Sequence, residues 1–160
     1  MAPQDALQIL GQLATRGLAS SRELQIATGK SQPTVSRLLA GLSDRVLTLG
    51  RARAARYGLP KSIHGRPAQQ PVWWTDAHGT ARRIGVLSLL AGDHLHVDTE
   101  LVSGTSAGEL PWYLSPLAAQ GFLGRLLAQR LAGFGVGPVP ERWNLETVLF
   151  AGDDATDEAA

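Results

Sequence analysis

Residues 20–39 read SSRELQIATGKSQPTVSRLL, a stretch with two short helical patterns separated by a glycine turn. Ser20 and Glu23 form a Ser-x-x-Glu capping box, which predicts the start of the first of these helices. Gly29 predicts a tight turn, and Ser31 is a suitable N-cap for the next helix. The stretch is therefore predicted to be a helix-turn-helix.

The residues on both sides of this stretch extend the motif. Residues 4–16 place apolar side chains on one helical face, and Gly17 ends that helix. Residues 46–49 and 54–59 have the character of β-strands, and a turn with glycine and arginines separates them, as in a hairpin. Residues 1–60 are therefore predicted to form a winged helix-turn-helix with three helices and a β-hairpin wing.

The charge of the chain is distributed unevenly. Residues 1–60 contain eight Lys or Arg and three Asp or Glu, a net charge of +5, whereas residues 61–160 contain seven and eleven, a net charge of −4. DNA is a polyanion that attracts basic surfaces. The first part of the chain is therefore expected to bind double-stranded DNA.

The third helix, expected over about residues 32–42, is the predicted reading helix. In a helix-turn-helix the second helix of the motif lies in the major groove, where Gln pairs with adenine and Arg with guanine. Arginines of the hairpin suit phosphates or the minor groove. The predicted DNA-binding residues are Lys30, Gln32, Thr34, Ser36, Arg37, Arg51, Arg53 and Arg56. The alternative is a small helical domain whose arginines are only solvated.

The sequence pattern changes after residue 60. Proline and glycine predict a linker over residues 61–71. Residues 72–75, 80–90 and 94–102 have strand character, and the short turns between them predict an antiparallel meander. Residues 103–108 are predicted to be a loop.

Helices are expected to follow the meander. Residues 114–131 predict one helix, and residues 144–150 predict a short second one. The apolar side of the first helix is expected to contain Phe122, Leu123, Leu126, Leu127 and Leu131. Residues 72–150 are thus predicted to be a small antiparallel-sheet α+β subdomain, and residues 151–160 an acidic disordered tail. The predicted fold class is α+β.

Two patterns in this second part suggest chemistry. Residues 104–108 match the Gly-x-Ser-x-Gly pattern of hydrolases, but every histidine precedes Ser106, which is the reverse of the required order. His94, His96 and Asp98 alternate along one predicted strand and are a candidate metal site. The simpler interpretation of that strand is a solvated sheet face with its intervening apolar residues inside.

Composition excludes several other classes of protein. The chain has no cysteine, which excludes disulfides, Cys-ligated zinc and thiol nucleophiles. Its apolar stretches are shorter than the roughly 20 residues of a membrane-spanning helix, and its start lacks the pattern of a secretory signal, so a cytoplasmic location is expected. No nucleotide-binding motif is present, so we expect no cofactor and no enzymatic activity. Trp73 and Trp74, if exposed, would mark a partner surface.

Two resemblances accompany these patterns. Residues 21–39 resemble bacterial winged-helix regulators, in which third helices of the Ser-x-x-Thr-Val-Ser-Arg kind are common. The chain also resembles the front of HipA-family kinase toxins that carry their own winged helix. The resemblance rests on the winged helix, the meander, LPWYL at residues 110–114 and QGFLGR at residues 120–125, and it extends over roughly residues 70–150. The resemblance implies a small α+β subdomain that precedes a serine/threonine kinase body. The phosphate loop, catalytic Asp–Asn loop and metal-binding Asp of a kinase are missing here, which implies a regulatory front end.

The leading hypothesis is a DNA-binding transcriptional regulator module, the front end of a HipA-like toxin. The first alternative is a protein-interaction module that docks on or restrains a kinase partner. The second is a partial serine/threonine kinase toxin. Double-stranded DNA is the expected partner, and a kinase domain, an antitoxin-like protein and a second copy of the chain are further candidates.

Overall fold

The computed structural model describes residues 3–157, except for the side chains of Pro3, Arg53 and residues 153–157. It divides into two compact units. The first contains the chain up to Lys61 together with Leu90–His94, and the second contains Ser62–Leu89 and the chain from Leu95 onward. Helices occur with antiparallel sheets, so the predicted α+β fold class is confirmed.

The first unit is built from three helices and a three-stranded antiparallel sheet. Its elements are α1 (Pro3–Arg16), β1 (Leu18–Ser20), α2 (Ser21–Thr28), α3 (Gln32–Ala40), β2 (Leu47–Leu49) and β3 (Arg56–Gly58). The sheet order is β1-β3-β2, so β3 pairs with both other strands. The predicted hairpin is present, and a single 3-10 turn, Ala52–Ala54, lies in its connection. The sequence did not predict β1.

One apolar core holds these elements together. Its completely buried side chains include Ile9 and Leu13 of α1, Leu24 of α2 and Val35 of α3. The spacing of these residues places one face of each helix inward, as the helical periodicity requires. Gly17 ends α1 with a φ of 77°, a conformation that favours glycine.

The second unit contains a four-stranded antiparallel sheet. Its strands are β4 (Gln69–Thr75), β5 (Ala81–Leu90), β6 (His94–Thr99) and β7 (Ser103–Ala107), in the order β4-β5-β6-β7. The predicted meander is therefore present, but the prediction of a loop over residues 103–108 is wrong because most of it is the fourth strand. Small and hydroxyl-bearing residues form β7, and they carry a weak strand signal.

The predicted linker over residues 61–71 is shorter than expected. Ile63 is only 2% exposed and belongs to the core of the second unit. It pairs with Arg66 in an isolated bridge, and β4 begins at Gln69. The backbone groups of Ile63 and Arg66 are hydrogen-bonded to each other, so this segment is ordered. Its prolines and glycines therefore mark tight turns.

Two helices complete the second unit, α4 (Gly121–Leu131) and α5 (Leu145–Asp157). The helix predicted over residues 114–131 begins later because residues 112–117 form 3-10 turns with Pro116 inside them. Residues 151–157 continue α5, so the prediction of a disordered tail is wrong for them, and residues 158–160 lie outside the described residues.

The face that α4 turns inward agrees only in part with the prediction. Leu131 is buried and Leu127 packs against the core as predicted, whereas Phe122, Leu123 and Leu126 are exposed and Gly124 and Ala128 are buried instead. A Cβ on Gly124 would lie 2.9 Å from the carbonyl carbon of Ala119. The helix therefore packs through its small residues, which allow a close backbone approach, and this overrides the larger hydrophobic pattern. Within residues 3–157 none of the helices has the length and apolar character needed to cross a membrane.

Candidate nucleic-acid interface

A groove lined by both polar and apolar residues lies between α2, the start of α3 and the β2–β3 connection of the first unit. Its volume is about 930 Å³. The groove is lined by Arg22 and Gln25 of α2, by Gln32 of α3, and by Arg56 and Tyr57 of β3. Guanidinium and amide groups are donors that suit phosphate oxygens and base edges.

Helix α3 presents a polar face to solvent. Gln32, Ser36 and Arg37 are exposed on it, and Thr34 is half-buried. The Oγ1 of Thr34 lies 3.0 Å from the Oγ of Ser31, which occupies the N-cap position. Thr34 is thus engaged in the first turn of the helix, whereas the other three side chains point away from the core that Val35 and Leu38 enter.

Two of the predicted cationic residues are already paired with carboxylates. The Nζ of Lys30 lies 2.9 Å from an oxygen of Asp5, and the Nη1 of Arg56 lies 2.8 Å from an oxygen of Glu23. Both pairs are partly exposed, and such pairs contribute only about 0–1 kcal/mol. Arg51 is exposed in the β2–β3 connection. The side chain of Arg53, which the sequence also assigned to DNA, lies outside the described part of the chain.

The carboxylate of Glu23 joins three elements of the first unit. Its Oε2 accepts hydrogen bonds from the backbone N–H of Ser20 at 2.7 Å, from the hydroxyl of Ser20 at 2.6 Å and from Arg56 at 2.8 Å. The backbone N–H of Glu23 in turn donates to the hydroxyl of Ser20, which confirms the predicted capping box. These bonds from Ser20 lower the pKa of Glu23, and the charge of Arg56 lowers it further.

We expect Ser20→Ala to destabilise the first unit by about 0.5–2 kcal/mol, because the N-cap hydroxyl and its partners are lost. The stabilisation is also expected to depend on pH. Since the folded pKa of Glu23 is depressed, its contribution is present above the ordinary value of about 4.5 and is lost as the pH falls through the folded pKa. Urea unfolding at neutral pH and at acidic pH would measure both effects. Ser43→Ala, at an exposed position in the same unit, is the control and should have little effect.

Gln25 and Tyr57 line the groove and were not predicted from the sequence. Gln25 follows the capping box by two positions, so the helical pattern of α2 does place it outside the core. Tyr57 is half-buried and packs against the core of the first unit, a position set by the pairing of β3 with two strands. No local pattern in the sequence specifies that double pairing.

Strand β6 contains His94, His96 and Asp98, the three residues that suggested a metal site. Leu95 and Val97 are buried, as predicted for the inner face of β6. The Nδ1 of His96 lies 2.9 Å from the Oγ1 of Thr105. Burial lowers the pKa of His96, although the charge of Asp98 and a hydrogen bond with the backbone of Gly104 act to raise it. Among the side chains that the structure describes, no group of three or more His, Asp or Glu residues is placed to hold a metal ion.

Comparison with known proteins gives a match to a family model, mostly over the second unit, and a match to a relative over most of the chain. Residues 66–158 match the family model described as "YjjJ-like toxin, middle domain". Toxin YjjJ of Escherichia coli (strain K12) is 36% identical over 148 residues, which is 89% of this chain and 32% of the relative. The chain thus spans about a third of the length of that relative. No solved structure gives a significant match.

These matches confirm the toxin part of the resemblance seen in the sequence. The winged-helix subgroup and the missing kinase body stay predictions. The family model covers more than half of the residues, from Arg66 to beyond the end of α5 at Asp157. The chain therefore belongs to the family of YjjJ-like toxins.

Proposed function

We propose that the first unit is a winged helix-turn-helix that binds double-stranded DNA, and that it gives a YjjJ-like toxin a role in transcriptional regulation. The observation that carries the proposal is the exposed polar face of α3 beside a groove lined by Arg22 and Arg56. Both features lie within a part of the chain whose net charge is +5 over residues 1–60.

The dimensions of α3 suit the major groove. The helix has nine residues and is therefore about 13 Å long, which allows its exposed face to follow a few base pairs. The major groove is about 12 Å wide and admits one α-helix. Gln32, Ser36 and Arg37 would contact base edges from this position, while Val35 and Leu38 stay in the core.

The β2–β3 connection is the proposed wing. Gly50 and Ala52 both have positive φ angles, 75° and 51°, so the chain reverses tightly there. Arg51 lies between them and is exposed, which suits contact with the phosphate backbone or the minor groove. Lys30 and Arg56 would have to exchange a carboxylate for a phosphate, so we expect a smaller net contribution from them than from Arg51.

The 160-residue chain should bind duplex DNA with an affinity that falls steeply as salt rises, because counterions are released from the DNA. Replacement of a cation that contacts a phosphate lowers the slope of log affinity against log salt by about one unit. We expect this result for Arg51→Ala in a fluorescence-anisotropy titration at several salt concentrations.

Arg125→Ala is the matched control, because it removes the same charge from an exposed position on α4 in the second unit. It should leave the slope unchanged. Equal slopes for the two variants, or no binding of DNA by the parent chain at low salt, would contradict the proposal.

The other two hypotheses stay predictions. Docking on a kinase partner is compatible with the exposed apolar side chains of α4, Phe122, Leu123 and Leu126. Such a face can pack against another domain, but it does not account for the basic character of residues 1–60. DNA binding accounts for that character and for the polar face of α3.

A further inference from the structure

Three tryptophans of the second unit are exposed around one cavity. Trp73 and Trp74 on β4 are 59% and 51% exposed, and Trp112 is 84% exposed. All three line a cavity of about 490 Å³, together with Leu101, which is 64% exposed. We call these four side chains the tryptophan face.

Trp73 and Trp74 are neighbours on β4, and both line this cavity. The pairing of β4 with β5 shifts register between Val72 and Trp73, where Ile84 of β5 is the extra residue. The strand is also at the edge of the sheet.

The exposed apolar area of this face is large for a free surface. A tryptophan side chain has a surface area of up to about 250 Å². With the exposed fractions given above, the three tryptophans together expose roughly 500 Å². Apolar patches of this size commonly mark contact sites. A standard interface takes about 800 Å² from each partner, so the indoles alone would supply more than half of one side.

The face combines a highly exposed side chain with a cavity. Trp112 is the most exposed of its side chains and lines the cavity. Cavities of about 300–1,000 Å³ accept drug-sized molecules, so this one has room for an indole ring. A two-fold interface requires that one surface carry both the inserting group and its recipient.

Charged side chains also lie beside the face. Arg82 lies opposite Trp74 in the register of β4 and β5, and its Nη1 is 2.7 Å from an oxygen of Glu100. Glu100 precedes Leu101 of the tryptophan face. This ion pair supplies one charge of each sign and adds no net charge there, whereas Arg83, which lies opposite Trp73, adds a positive charge that a second copy must accommodate.

We propose that the tryptophan face binds the same face of a second copy of the chain, with Trp112 of each copy inserted into the cavity of the other. The proposal does not depend on DNA binding. It identifies the partner surface that exposed tryptophans of β4 were expected to mark.

Sedimentation equilibrium of the 160-residue chain tests the proposal. We expect a concentration-dependent dimer, and Trp112→Ala should raise the dissociation constant at least tenfold because the inserting side chain is lost. The substitution should leave the fold intact, since Trp112 is largely outside the core. Circular dichroism would verify this.

Phe122→Ala is the control, because it removes an exposed aromatic side chain from α4, outside the tryptophan face. It should leave the dissociation constant unchanged. A chain that stays monomeric into the millimolar range would overturn the proposal. So would a dimer that Trp112→Ala does not weaken, or one that Phe122→Ala weakens equally, since either result would place the interface elsewhere.

Discussion

Gly85→Ala should destabilise the second unit by about 3 kcal/mol or more, a large effect for one added methyl group. Gly85 lies on β5, and a Cβ there would be 2.2 Å from the carbonyl oxygen of Asp98 and 2.6 Å from the Cα of Thr99. Both are backbone atoms of β6, so no side-chain rotation can relieve the overlap. The two strands would have to separate, which would disrupt their hydrogen bonds.

Thermal unfolding followed by circular dichroism would measure this effect. A loss of that size should lower the melting temperature of a unit of this length by more than about 10 °C. Gly104→Ala is the matched control on β7, because a Cβ there meets nothing within 4 Å. If both variants melt at the temperature of the parent chain, the close approach of β5 and β6 at Gly85 is incorrect.

Arg37→Ala should reduce binding to the preferred DNA sequence by about 1–3 kcal/mol, roughly 5-fold to 150-fold, and should relax the preference at one base position. The side chain is exposed on α3, on the face opposite the buried Val35 and Leu38. A guanidinium there can donate two hydrogen bonds to one guanine, and the side chain of alanine donates none. Arg51→Ala should instead weaken all sequences about equally.

Selection from a randomised duplex library at two salt concentrations would separate these results. Arg45→Ala is the matched control, since it removes an exposed arginine from the segment between α3 and β2 of the same unit. It should change neither the preference nor the order of preferred sequences. If Arg37→Ala leaves both preference and affinity unchanged, α3 is not the reading helix.

Local signals in the sequence predicted most of the first unit. The capping box of Ser20 and Glu23, and the glycines at positions 17 and 29, act over a few residues, so they can be recognised without the rest of the fold. Strand β1 has only three residues and exists because it pairs with β3 far along the chain. A segment this short has no periodicity that would reveal it.

The second unit and the candidate site also contain features that depend on contacts between distant residues, and the sequence did not predict these features. Helix α4 packs through Gly124 and Ala128 as well as Leu131, so its large hydrophobic residues predicted only part of the inward face correctly. The exposed positions of Gln32, Ser36 and Arg37 followed from helical spacing. The ion pair of Arg56 with Glu23 did not, because folding brings together residues 33 positions apart. Pairings of this kind depend on tertiary structure and leave no local pattern.

The turn between β5 and β6 belongs to the first unit and affects how the chain can fold during synthesis. Ala91 donates its N–H to the carbonyl of Leu59 at 2.8 Å, and a Cβ on Gly17 would overlap the ring of His94, so this turn packs closely at the end of α1. A ribosome adds about 5–20 residues each second. The helices of the first unit therefore leave the ribosome seconds before residues 90–94 can complete their packing, and during that interval the end of α1 is open to solvent and to chaperones.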